Sequence, residues 1–165
     1  MIDKFDKFMS DLYESYYSFV EIKWIDNIKL IGMFNISNLI YKIECTPREN
    51  NIWTFKFMRY DYNTKSFSLK LTKTDPRDKM SVLGTVRNGM RYLIENKNPK
   101  GLIFSALDDS DGRKKLYTTY SNEISKDYNY NLKTNLQDGK MIFILYKNIE
   151  IDKIIGEIGE IINEI

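Results

Sequence analysis

Histidine is absent from this 165-residue chain, and cysteine occurs once, as Cys45. The first absence removes Ser-His-Asp and Cys-His catalysis, histidine-containing zinc sites and a histidine general base. Proton transfer is left to Asp, Glu, Tyr, Lys or water. The second excludes an internal disulfide. Strong charge of either sign is missing too. The 25 basic and 23 acidic side chains leave a net +2, which exerts little pull toward nucleic acid or an anionic membrane. No apolar run reaches the length of a membrane span and no signal-peptide pattern opens the chain, so a cytoplasmic setting is expected. Repeats, low-complexity linkers and composition breaks are lacking, which predicts a single domain over 1–165.

What is present is the balance of a globular protein: 42% apolar and 29% charged residues, in a chain long enough for a sizeable core. Aromatics are plentiful, with 12 Tyr and 9 Phe. Residues 3–18 place Phe5, Phe8, Met9, Leu12 and Tyr16 at helical spacing, predicting an amphipathic N-terminal helix over 1–18. Residues 19–34 predict one or two strands about a turn at Asp26-Asn27. Leu39–Thr46, Trp53–Tyr60 and Ser66–Thr72 each alternate, broken by Pro47–Asn51 and Asp61–Thr64. They predict an antiparallel meander with Trp53, Phe55 and Phe57 on one face and Phe67, Leu69 and Leu71 inward.

The period then changes to 3.6, with Val82, Val86, Met90, Leu93 and Ile94 recurring up to Asn96. Asn98–Gly101 ends that helix, and Leu102–Leu107 predicts a short central strand. A second helix is expected over Arg113–Tyr128, with Leu116, Tyr117, Tyr120 and Ile124 as its inner face. Asn131–Asn135 and Met141–Tyr146 flank the hairpin signal Asp138-Gly139. In the tail, Ile151, Ile154, Ile158, Ile161 and Ile165 form an apolar stripe, predicting a C-terminal amphipathic helix over 151–165. Gly156 and Gly159 each weaken it by roughly 1 kcal/mol against Ala, so it needs packing to form. The fold class is therefore α+β, with a mixed, mainly antiparallel sheet, flanking helices and that C-terminal helix.

Several clusters invite a chemical reading. Asp108, Asp109 and Asp111 offer carboxylates, but not at the alternating spacing followed by a distant Glu that a calcium loop requires. Capping of the next helix by Ser110 or Asp111 accounts for them better, and no metal is expected. Arg48, Lys56, Arg59, Lys70 and Lys73 interleave with aromatics, as a single-stranded nucleic-acid surface would. The ordinary outer face of a sheet carries the same pattern, and the weak net charge argues against nucleic acid. The isoleucine stripe follows heptad spacing. It suits docking onto the chain's own sheet, with a homo-oligomeric seam through Ile151, Ile154, Ile158, Ile161 and Ile165 as the alternative.

The element order resembles the GNAT N-acetyltransferase fold, in which a meander leads to a central helix, a splayed strand, a second helix and a closing hairpin. Trp53–Lys147 is similar to a group of little-characterised bacteriophage proteins of GNAT-like outline. The residues carrying this are Val82-Leu83-Gly84-Thr85-Val86, Ile103-Phe104-Ser105-Ala106 and Gly112-Arg113-Lys114-Lys115-Leu116-Tyr117. The resemblance implies acetyl-CoA as cofactor, held near Arg77, Lys79 and Ser81, with Tyr117 as general acid and a base near Glu44 or Glu49. The departure lies in the cofactor loop. Where acetyl-CoA-using members carry a glycine-rich loop, this chain reads Thr74-Asp75-Pro76-Arg77-Asp78-Lys79-Met80-Ser81. It has no glycine, Pro76 removes one donor, and two aspartates meet the place of a pyrophosphate. The expectation is a phage-type GNAT-like protein that binds a protein partner without acetyl transfer, as a virion component or an inhibitor of a host enzyme or defence system. The alternative is an acyl-CoA-dependent N-acyltransferase with a divergent cofactor loop.

Overall fold

A computed structural model describes residues 19–69, 76–107 and 113–161. The expected N-terminal helix, the 70–75 loop, the 108–112 acid cluster and residues 162–165 lie outside them. In chain order the elements are β1 (Lys23–Asp26), β2 (Leu30–Ile36), β3 (Leu39–Arg48), β4 (Ile52–Asp61), β5 (Ser66–Ser68), α1 (Pro76–Lys97), β6 (Gly101–Leu107), α2 (Arg113–Tyr128), β7 (Asn131–Gln137), β8 (Lys140–Tyr146) and α3 (Ile151–Ile161). The strands form one open sheet in the order β1-β2-β3-β4-β6-β8-β7, with β5 also on β4. Every neighbouring pair is antiparallel except β4–β6. The fold is thus α+β with a mixed, mainly antiparallel sheet.

Turn chemistry explains the hairpins. Asp138 and Gly139 both take positive φ, 52° and 75°, as a two-residue turn matched to strand twist requires. Ser37 and Asn38 do the same between β2 and β3, at 51° and 65°, a turn that the residue types alone did not announce. Pro47 does not end β3 as expected. The β2–β3 ladder stops at Leu30–Cys45, so β3 has no neighbour on that side at Pro47, where a missing N–H is tolerated.

The first sheet face carries the main core. Val82, Val86, Met90, Leu93 and Ile94 of α1 are buried there, as their spacing predicts, together with Leu83. From α2 come Tyr117, Tyr120 and Ile124, over Phe104, Phe143 and Leu145. Gly89 lets α1 approach closely, since a Cβ there would stand 2.5 Å from Ile43 Cδ1. The two helices are tied on their outer side. Arg87 Nε donates to Glu123 at 2.7 Å, Arg91 to Asp127 at 2.7 Å, and the Tyr128 hydroxyl to Glu95 at 2.6 Å.

The second face divides in two. Ile154 and Ile158 of α3 are buried against Ile52, Ile103, Ile142 and Ile144, with Ile151 packed beside them. Each buried isoleucine contributes about 1.5–3 kcal/mol, which offsets the glycine penalty in α3. Ile154 and Ile158 thus dock onto the chain's own sheet, as expected, rather than standing free for the alternative seam with a second copy. The Ile161 side chain and Ile165 lie outside the described residues.

Candidate functional site

β4 and β6 meet through three parallel pairs, Ile52–Gly101, Trp53–Leu102 and Thr54–Ile103. Beyond them the strands separate. β6 continues to Leu107 along β8, whereas β4 runs on to Asp61 along β3. A splay of this kind, at the carboxyl ends of parallel strands, is where open α/β sheets place ligands. Here β5 enters it. Arg59 pairs with Tyr41 of β3 on one edge and with Ser68 of β5 on the other. So β5 lies on the β6-facing edge of β4. Between the two ladders on that edge lies Phe55–Met58.

The residues expected to act there are placed as follows. Pro76, Arg77 and Lys79 lie in the first turns of α1, their side chains outside the described set. Ser81 is partly exposed and its carbonyl accepts from Thr85 Oγ1 at 2.8 Å. Thr85 Oγ1 also accepts from the Val20 amide at 3.1 Å, pinning the entering chain to α1. Tyr117 is 2% exposed. Its ring stands edge-on to Phe104 at 5.3 Å and to Phe143 at 6.0 Å, which is the packing of a core side chain. Ser81 and Tyr117 are not brought into contact by any described interaction.

The acid and thiol candidates are set by their surroundings. Burial raises the Glu44 carboxyl, but the Lys29 hydrogen bond at 2.8 Å and the charges of Lys29, Lys42 and Lys56 outweigh it and hold the pKa below the ordinary range. A carboxylate so held is a weaker base. Glu49 sits in an exposed 3-10 turn after β3. Cys45 is fully buried, and desolvation followed by the Glu44 charge pushes its thiol pKa up, so it is inert as a nucleophile. The basic residues do not form one stripe. Alternation puts Arg48 and Lys56 on the second face and Arg59 on the first, while Lys70 and Lys73 lie outside the described residues. A depression of about 310 Å³ lined by Asn50, Lys100, Asn148, Ile149, Glu150 and Lys153 lies at the far end of the sheet from the splay.

The other notable surface is the half of the second face that α3 leaves open. Strand alternation and register place Met58, Tyr60, Phe67, Lys42, Glu44 and Met33 there. Tyr60 meets Phe67 edge-on at 5.4 Å and Tyr62 at 5.0 Å, with Lys42 Nζ 4.5 Å over the Phe67 ring. Glu44 joins Lys29 and, at 3.9 Å, Lys42. Tyr62 is 56% exposed and Ile25, at the β1 edge, 59%. The buried contacts of all three described helices lie elsewhere. Phe67, expected inward, belongs to this partly exposed face. None of the described helices is long and apolar enough to cross a membrane.

No family model, curated protein or solved structure matches the chain.

Proposed function

We propose that this chain is a GNAT-like domain, similar to the bacteriophage group, that acts by holding a protein partner and transfers no acetyl group. The partner setting is that of a virion or of a host enzyme or defence component. The strand order and the splay after three parallel pairs support the GNAT-like reading. The observation that carries the binding role is the half-face where Tyr60 and Phe67 are partly exposed and Tyr62 is exposed, with Met58 buried beside them. Methionine and aromatic side chains set among paired charges are the composition of a protein interface, and a broad sheet face lacks the concavity of a small-molecule site.

Three features argue against acyl transfer. β5 occupies part of the β4 edge within the splay, the loop before α1 has no glycine, and Tyr117 packs in the core. The second reading is an acyltransferase with a divergent loop, which the splay after the three parallel pairs favours.

Calorimetric titration with acetyl-CoA separates the two. No heat is expected. Micromolar binding abolished by Arg77→Glu would establish the acyltransferase reading instead. For the binding role, affinity capture from phage-infected bacterial cells should enrich a protein with the native chain and lose it with Tyr62→Arg. Equal enrichment by both would move the binding role off this face.

A further inference from the structure

The two edges of the sheet are guarded differently. β1 is four residues long, carries Lys23 and Asp26 at its ends, and Asp26 is bound by Lys97 of α1 at 2.7 Å. A short, charged edge resists pairing with another chain. β7 is seven residues long and holds an unbroken register with β8 from Asn131 to Gln137. It has no proline or glycine, and Lys133 is its sole charge. Its outer edge has no strand partner among the described residues. Leu136 on it is 57% exposed.

The sequence of β7 is self-complementary about its middle residue. In an antiparallel pair of two β7 strands centred on Thr134, Leu132 meets Leu136, Lys133 meets Asn135, and Asn131 meets Gln137. Thr134 meets its own copy. Leucines thus face leucines, lysine faces a neutral amide, and no like charges stand directly opposite. Cross-strand apolar and threonine pairs stabilise a ladder, whereas opposed like charges destabilise it. Leu132, Thr134 and Leu136 are opposite Leu145, Phe143 and Met141 of β8, so all three point to the helix-covered face. Pairing would extend that core and cover Leu136.

We propose that β7 is the interface between two copies of this chain, joined as a two-fold antiparallel strand pair with its axis at Thr134. Such an interface is isologous and closes at two copies. It is independent of the open half-face and of any partner held there.

Sedimentation of the full chain at about 100 µM should give twice the monomer mass. Thr134→Lys and Thr134→Glu, both at an exposed position, should each shift the dissociation constant upward by about fivefold. Mixing the two variants should restore the dimer. Thr134→Cys should cross-link under mild oxidation, because directly opposed residues are within disulfide reach. Leu136→Cys should not, because its copy lies four residues away along the pair, and buried Cys45 does not compete. A monomer at every concentration, or cross-linking of Leu136→Cys as fast as Thr134→Cys, would overturn the proposal.

Discussion

Two halves of one sheet face, built from different strands, have opposite surroundings. Over β6 and β8 the side chains are Ile103, Ile142 and Ile144, and α3 seals them with Ile154 and Ile158. Over β2 to β5 the same face presents Lys42, Glu44, Lys56 and a cluster of rings, and no described helix seals it. The difference shows how the chain allots its stability. The isoleucine half is core whose burial contributes to folding. The charged half holds its acids and bases in pairs that contribute little in water.

Changes that erase this contrast should differ widely in effect. Ile154→Ala empties part of the sealed half and should lower unfolding free energy by about 2–5 kcal/mol, read from the denaturant midpoint at constant slope. Glu44→Gln acts on the open half and only through pH. The folded Glu44 pKa lies below its ordinary 4.5, so its stabilisation is present above that value and is lost as pH falls through the folded pKa. The variant should therefore lose less stability on acidification. Glu44 is part-buried but still reached by solvent, which screens its pairs with Lys29 and Lys42, so the difference amounts to about 0.5 kcal/mol, measured by denaturation at pH 7 and pH 3. Tyr62→Ala should move stability by no more than about 0.5 kcal/mol. Its exposed ring is expected to matter to partner capture alone, and a large stability loss would place it in the core instead.

Much of the sealed architecture was legible because burial imposes a period. Val82, Val86, Met90, Leu93 and Ile94 could form one face only on a helix, and all are buried. Trp53, Phe55 and Phe57 could share a face only on a strand. Asp138-Gly139 announced its hairpin through the φ values it permits. What escaped was set by long-range placement. The Asp61–Thr64 turn marked a hairpin, and Asp61 does accept from the Asn63 amide at 2.8 Å. Nothing local says that β5 returns on the edge facing β6, since that depends on where β6 arrives some 40 residues later. Tyr117 carried two readings, a general acid by resemblance and an inner-face side chain by its place on α2, and its ring follows the second. Phe67 was read as inward by alternation alone, but alternation does not say which face is core.

The three parallel pairs between β4 and β6 have a consequence for folding order. Among the described residues they are the one strand pairing that joins the block β1 to β5 with the block β6 to β8. The first block is made of hairpins with short turns, whereas the seam brings together Ile52 and Gly101 across α1. Closing a loop of that length costs about 3 kcal/mol or more in chain entropy before any contact repays it. The first block should therefore form before the seam. In kinetic terms, Leu102→Ala should chiefly accelerate unfolding, while Phe57→Ala, inside the first block, should slow refolding. Stopped-flow rates for the two variants, showing the opposite assignment, would put the seam in the nucleus.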